Sequence, residues 1–512
     1  RPGLLLVVAA AVVGLGLRWR AFVRFGVDTL HAAVTLSTNP SARILVITEW
    51  CIGIFAGIIR SAILFRAPVF VIGDSGEYLE ASRQILETFQ FSSLGTIHPP
   101  LYPIFLAGIS FLFGPDYLPI VLVQHILGII SCIVLFRMAL YYVSPILALC
   151  ISIIHASNGY TLIMEHGVYT EAIFTPLAIY TIYTLTRVFV LHEKRLAISA
   201  GILSGGLILT RLVAQPLIPI FLLLIPSDKY MMSWRKRLEN IALFVIGFFV
   251  CYAPWAIHNL QATSQTGLQS GIGIGAILPR MWEEDLSYVW ENTEHHDPDV
   301  RRVLTIFQEQ KEKNASIGQL WKRVEEEYPV AKASELMLSA SIDVAYRNRT
   351  LFLDRTWFRM KRIWRGGFAQ ETVNELYGSQ SVLGMESSIF AIQNNNNPYI
   401  EINGNMANTL TNRVRIERLP DWLTITLTVI GVLPNLRNRA QFWRTLPTLV
   451  AVTLLVAAIM NADRARYRHP AEPFLVIAYA MGVHAAWRAA LWAWRRWGRP
   501  VAVPVDATEV PA

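Results

Sequence analysis

Long apolar segments, about ten in number, constrain the possible fold of this chain more than any other feature. A helix needs roughly 20 apolar residues to cross the hydrocarbon of a bilayer. Of the 512 residues, 53% are hydrophobic and only 16% are charged, which leaves too little polar surface for a soluble protein of this size. The sequence therefore predicts a mainly α, polytopic membrane helix bundle of about 10–11 spans. The candidate spans are Ile44–Phe65, Leu118–Phe136, Pro145–Tyr160, Ala172–Val190, Leu196–Thr210, Leu212–Ile225, Ile241–Trp255, Trp422–Pro434, Leu446–Met460 and Phe474–Leu491.

The positions of the basic residues predict the orientation of these spans. The net charge is +8, but the Lys and Arg residues fall in short clusters between apolar segments, at 192–195, 234–237, 437–439 and 495–496. Such clusters mark cytoplasmic loops under the positive-inside rule, so binding to nucleic acid is not expected. Counting spans between them places Asp74, Glu165, Arg466 and the hydrophilic segment after Trp255 together on the opposite, extracytoplasmic side.

This topology divides the chain into five regions. We expect an N-terminal apolar helix and polar linker (1–43), a transmembrane core (44–257) with a first extracytoplasmic loop (70–117), a mostly helical extracytoplasmic domain or long loop (258–420), C-terminal transmembrane helices (421–492) and a cytoplasmic tail (493–512). Within the first span, Glu49 and Arg60 lie near one helical face, which predicts an ion pair or a polar contact facing the bundle.

The first extracytoplasmic loop carries the first candidate site. Asp74 follows an apolar segment in a Gly-Asp-Ser-Gly sequence, and the pattern D-S-x-x-Y ends at Tyr78. About two dozen residues later comes H-P-P-L-Y-P, from His98 to Pro103 and including Tyr102. A carboxylate close to hydrocarbon is costly unless it meets water, a cation or a substrate. An ordinary helix-ending turn is the structural alternative.

A second acidic cluster lies at the predicted start of a span, with Glu165, His166, Tyr169 and Glu171. Together with Asp74, these carboxylates predict either a divalent cation site (Mg or Mn), because hard cations take oxygen ligands, or a division of labour between a base and a charge stabiliser. The alternative is a hydrated loop in which these residues have no functional role.

Cationic residues at the same side of the membrane are candidate anion ligands. Arg211 can hold a phosphate through its planar fork, or can extend to the interface as a structural residue. Arg466, Tyr467 and His469 belong to the sequence R-Y-x-x-P-x-x-P before the final span, where positive charges violate the positive-inside rule unless they meet an anionic ligand. The segment 354–365 interleaves Arg and Lys with Trp and Phe, which favours a helix in contact with lipid headgroups over contact with nucleic acid.

In combination, these motifs resemble GT-C membrane glycosyltransferases, and most closely the family-39 group of protein O-mannosyltransferases and lipid A aminoarabinose transferases. The resemblance also includes T-E-A at 170–172 and P-W-x-x-H-N at 254–259, in which His258 stands where the family has arginine. It implies a GT-C fold and transfer of a sugar from a polyprenyl-phosphate donor to a lipid, glycan or protein acceptor.

The resemblance also implies the roles of particular residues. Asp74 is expected to be the general base of an inverting displacement, with Glu171 and Glu165 as further catalytic groups. The expected substrate-binding residues are Tyr78, His98, Tyr102, His166, Arg211, His258, Arg466, Tyr467 and His469. Transfer would occur on the extracytoplasmic face of a membrane, as in a bacterial inner membrane facing the periplasm. A polytopic transporter, or a ligase or flippase of lipid-linked glycans, is the alternative.

Overall fold

The structure is a computed structural model. It describes residues 41–65, 69, 71, 75–88, 99–191, 194–225, 233–263, 295–312, 317–347, 349–365, 420–461 and 468–497. Almost all of these residues are helical.

The apolar helices of the first half form most of a bundle. They are α1 (Ala42–Leu64), α3 (Leu101–Phe113), α4 (Tyr117–Ala139), α5 (Pro145–Ala156), α6 (Gly159–His166), α7 (Glu171–Leu191), α8 (Lys194–Thr210), α9 (Leu217–Leu224) and α10 (Trp234–Thr263). An amphipathic helix, α2 (Ser75–Thr88), precedes α3. The bundle is completed by α15 (Asp421–Arg437), α16 (Leu446–Asn461) and α17 (Glu472–Trp497).

The membrane prediction is confirmed by the length and composition of these helices. Within the described ranges, six helices are long and apolar enough to span a bilayer, and α5 with α6 forms a seventh if the bent pair is one span. Shorter apolar helices accompany them in α3, α8, α9 and α15. Each of the ten predicted spans overlaps one of these elements, but those long enough to cross are fewer than the 10–11 spans predicted. One continuous core of apolar side chains runs through the bundle. The chain is therefore an integral membrane protein with a mainly α fold.

One predicted span is broken. The sequence predicts a continuous helix over 145–160, but α5 ends at Ala156 and α6 begins at Gly159 after a bend of 48°. Asn158 caps α6, because its side-chain oxygen accepts a hydrogen bond from the Thr161 amide at 3.0 Å. The break directs the end of α6, and the link that follows it, into the bundle.

The described part of the hydrophilic region forms four helices with a small core of their own. They are α11 (Pro298–Glu312), α12 (Ile317–Glu327), α13 (Val330–Arg347) and α14 (Arg349–Arg365), and the core is centred on Phe307 and Met337. On the surface of this unit, the Lys332 ammonium donates to Asp299 and lowers the pKa of that carboxyl.

The predicted pair between Glu49 and Arg60 is wrong as an ion pair. Glu49 instead accepts two hydrogen bonds from Arg137 on α4, at 2.7 and 2.6 Å. Arg60 makes the bundle-facing polar contact that was the alternative, with Glu165 on α6. The partners come from other helices, so their spacing along α1 did not indicate them.

Close packing of α8 on α10 depends on glycines. A side chain at Gly201 would collide with the Phe244 carbonyl, and one at Gly247 would collide with the Ile198 carbonyl. Small residues let membrane helices approach until their backbones touch, and this contact is a main source of their affinity.

We expect Gly201→Ala to destabilise the bundle by about 1–3 kcal/mol, because the obstructing atoms belong to the backbone and cannot move aside. Gly108→Ala in α3 is the matched control, since nothing lies within 4 Å of its added methyl group. The midpoint of thermal aggregation in detergent measures both. Equal midpoints for the two variants would contradict the packing argument.

Candidate functional site

The link between α6 and α7, residues 167–170, is held inside the bundle by side chains from other helices. Gln124 on α4 donates to the carbonyls of Glu165 at 3.0 Å and Gly167 at 2.8 Å. The Tyr102 hydroxyl donates in turn to the Gln124 amide oxygen at 2.9 Å. All of these groups are buried, so the link has a fixed path rather than that of a hydrated loop.

The loop after α1 is attached to the same link. Ser75, the first residue of α2, donates to the Val168 carbonyl at 2.8 Å. The Tyr78 ring packs edge-on against the Tyr102 ring, with their centroids 5.2 Å apart. Asp74 precedes Ser75 directly in the sequence but lies outside the described residues, as does His98.

A buried ionic cluster lies on one side of the link. Arg60 donates to both carboxylate oxygens of Glu165, at 2.7 and 2.8 Å, and the Arg60 side chain is only 2% exposed. Glu165 Oε2, which accepts the 2.7 Å bond, also lies 3.3 Å from His125 Nδ1, and the other nitrogen of that ring lies 3.1 Å from His166 Nδ1. Arg60 therefore neutralises Glu165 within the bundle, and two imidazoles extend the cluster.

A second arginine–glutamate pair lies on the other side of the link. Glu171 opens α7 and forms an ion pair with Arg211, the residue after α8. Thr170 joins the two, because its hydroxyl donates to Glu171 at 3.0 Å and accepts from Arg211 at 3.1 Å. Unlike Arg60, Arg211 keeps 14% of its side chain exposed. This pair is the more accessible of the two.

The C-terminal motif reaches the same region. His469 lies in a short 3₁₀ turn, His469–Ala471, that packs against α7, and its ring centre is 5.2 Å from that of Tyr160 on α6. Asn158, at the break between α5 and α6, donates to Glu472 at 2.8 Å, and Arg468 lies 3.6 Å from the same carboxylate. The turn and the first residue of α17 are thus fixed to the start of α6.

The His469 ring is buried without a matching partner. Only 1% of the residue is exposed, and among the described residues neither ring nitrogen has a hydrogen-bond partner. Buried polar atoms are almost always hydrogen-bonded, so an unmatched imidazole beside charged groups indicates a position for a ligand or a further polar group.

The structure therefore brings together most of the described candidates. Around the link lie Tyr78, Tyr102, Glu165, His166, Glu171, Arg211 and His469. His258 belongs to α10, and its described ring contact is with Trp255 of the same helix, at 5.1 Å. Asp74, His98, Arg466 and Tyr467 lie outside the described residues, so their roles stay predictions.

The two described carboxylates of the predicted cation site are paired with arginines. Glu165 uses both oxygens for Arg60, and Glu171 is paired with Arg211. The described part of the chain contains no group of three His, Cys, Asp or Glu side chains arranged to hold a metal ion. The predicted cation site, which includes Asp74, stays a prediction.

Several residues of the site were not predicted from the sequence. Gln124 and His125 are adjacent polar residues in the middle of an apolar segment, and polar side chains at membrane depth mark functional positions by default. That signal was present. Asn158 followed by Gly159 was also a usable signal for a helix start, whereas the pairing of Arg60 with Glu165 across 105 residues had no local sequence signal.

The site thus lies in a multi-span membrane protein and contains buried charges beside a break between two helices. Comparison with known proteins indicates which kind of membrane protein the chain resembles. Residues 97–258, which include the link and both glutamates, match the family of dolichyl-phosphate-mannose-protein mannosyltransferases. The predicted resemblance is confirmed over this segment. The match supports a membrane glycosyltransferase that uses a lipid-linked donor.

Two solved structures are similar to the chain over most of its length. Both are crystal structures of ArnT from Cupriavidus metallidurans, one bound to undecaprenyl phosphate and one in the apo state. Each is 13% identical and covers 88% of this chain, with TM-scores of 0.34 over 80% of the bound structure and 0.36 over 79% of the apo structure. No curated protein matches the chain significantly.

We expect Glu165→Gln to destabilise the protein by about 3–5 kcal/mol, because it leaves the Arg60 charge buried without a counter-charge. The double variant Arg60→Met, Glu165→Leu should be destabilised less, since neither buried charge remains. The thermal midpoint in detergent measures both variants. A single variant as stable as the wild type would show that the pair does not hold the bundle together.

Proposed function

We propose that the chain transfers a sugar from a polyprenyl-phosphate donor to an acceptor hydroxyl on the extracytoplasmic side of a membrane, with inversion at the anomeric carbon. The observation that carries the proposal is the Glu171–Arg211 pair, which lies within the family-matched segment and beside the C-terminal His469 turn. Two motifs about 300 residues apart in sequence thus lie at one site.

In this proposal Asp74 is the general base. It accepts the proton of the acceptor hydroxyl while the acceptor oxygen attacks the anomeric carbon, and the bond from that carbon to the donor phosphate breaks. The phosphate leaves as a stabilised anion, so it needs no proton from a general acid. Ser75 supports this role, because its bond to the Val168 carbonyl attaches the residue after Asp74 to the link.

Arg211, Arg466 and His469 would bind the departing phosphate. A guanidinium presents a planar fork that matches phosphate oxygens, and the buried imidazole of His469 can donate one further hydrogen bond. Glu171 keeps Arg211 oriented and prevents a buried net positive charge when the donor is absent. Tyr102 and Glu165 then act indirectly, through the path of the link.

The proposed orientation follows from the basic clusters. The basic clusters at 192–195 and 234–237 mark the cytoplasmic face under the positive-inside rule. The link and the C-terminal motif would then lie on the opposite, extracytoplasmic face. In a bacterial cell this would be the periplasmic face of the inner membrane. The acceptor would be a lipid, glycan or protein on that face.

We expect Asp74→Asn to reduce transfer by roughly 10²–10⁴-fold, the usual loss when a general base is removed. Glu77→Gln is the matched control, because it removes a carboxylate from the exposed side of the first turn of α2. The measurement is transfer of labelled sugar from a polyprenyl-phosphate donor in membranes. If both variants retain wild-type turnover, Asp74 is not the base.

The phosphate-binding role predicts a difference between arginine and lysine. Arg466→Lys and Arg211→Lys keep the charge but lose the fork, so donor affinity should fall in each. Arg466→Ala should bind the donor more weakly still, since a hydrogen bond to a charged group contributes about 1.5–3 kcal/mol.

Donor titrations with these variants separate an enzyme from a transporter, which needs only a fixed charge at such positions. Lysine variants that match the wild type in both affinity and turnover would refute the phosphate-binding role.

A further inference from the structure

Helix α14 exposes large apolar side chains. Leu353, Trp357 and Phe358 are 63%, 53% and 55% exposed, at positions i, i+4 and i+5. Leu353 and Trp357 lie one turn apart on the same face, and Phe358 lies about 100° further round, so the three side chains span an arc of about 140°. Apolar side chains of this size rarely stand together in water on a protein without a partner.

The rest of α14 is anchored between the two parts of the protein. Near its start, Phe352 packs against the small core of α11–α13. Near its end, Met360 packs against the core of the membrane bundle, and α14 contacts α16, a candidate span. The exposed side therefore lies at the junction of the extramembrane helices and the bundle.

The charge of α14 is strongly positive. The helix contains six Arg or Lys residues and one Asp, which give a net charge of +5 over 17 residues. Lys361 is exposed, and its ammonium lies 5.0 Å from the centre of the Trp357 ring. Trp beside Lys is typical of the membrane interface, where the ring enters the acyl boundary and the ammonium meets phosphate.

We infer that the exposed side of α14 lies in the headgroup layer of an anionic membrane, with Leu353, Trp357 and Phe358 at the acyl boundary and the basic residues on lipid phosphates. Each basic residue near such a surface contributes to the attraction, which weakens within a Debye length. This contact would fix the extramembrane helices against the bilayer beside the bundle. It does not depend on the proposed transfer reaction.

Nitroxide labels in nanodiscs test this location. Single cysteines would replace Leu353 or Trp357 in a full-length chain from which Cys51, Cys132, Cys150 and Cys251 have been removed. Glu326→Cys on the acidic helix α12 is the matched control, because its side chain is half-exposed within a run of three glutamates. The accessibility of each label to oxygen and to a water-soluble nickel chelate is measured in nanodiscs with and without phosphatidylglycerol.

In phosphatidylglycerol nanodiscs, labels at 353 and 357 should be more accessible to oxygen than to nickel, and the label at 326 should show the reverse. Without anionic lipid, the preference for oxygen should decrease. Labels at 353 and 357 as accessible to nickel as the control would overturn the inference. Protection from both reagents would also overturn it, since it would indicate contact with protein, such as a second copy of the chain.

Discussion

The buried ion pair between Arg60 and Glu165 is the interaction on which the rest of the site depends. Removing two charges from water is expensive, and their attraction offsets this cost only when the geometry is good and further hydrogen bonds are made. Both conditions are met, with two short bonds from Arg60 and a third contact from His125. Gly128 on α4 provides the room, because the Glu165 carboxylate occupies the space that a side chain there would fill. The pair thereby fixes α1, α4 and α6 relative to one another.

Two arginine–glutamate pairs flank the link and differ in environment. The Arg60–Glu165 pair is closed to water, and replacing one partner leaves a charge that no solvent can reach. The Arg211–Glu171 pair keeps part of its guanidinium exposed and is bridged by a hydroxyl. An arginine can exchange its glutamate for a bound anion only where solvent or the ligand compensates the separated charges. The first pair therefore suits a structural role and the second suits contact with substrate.

Much of this arrangement could be predicted from the sequence, because hydrocarbon imposes length and composition on a helix. The spans and the grouping of Glu165, Glu171, Arg211 and His469 on one face followed from hydropathy and basic clusters. The break at Asn158 was missed because the apolar segment before it was extended to Tyr160 as one span, past the helix-start signal of Asn158 and Gly159. The partners of Glu49 and Arg60 were missed because an ion pair between helices depends on packing angles, which have no local signature. Asp74 and Arg466 lie outside the described residues, so their predicted proximity to the link stays a prediction.

The break between α5 and α6 has an electrostatic consequence for the link that follows. Helix α6 ends at His166 with its carbonyl end, which carries partial negative charge, and α7 begins at Glu171 with its amide end, which carries partial positive charge. Residues 167–170 thus join two helix ends of opposite polarity. Glu171 lies at the end that favours a carboxylate, whereas Glu165 lies at the end that opposes one and has the more deeply buried arginine. The backbone itself therefore gives the two glutamates unequal electrostatic surroundings, without any contribution from mobile ions.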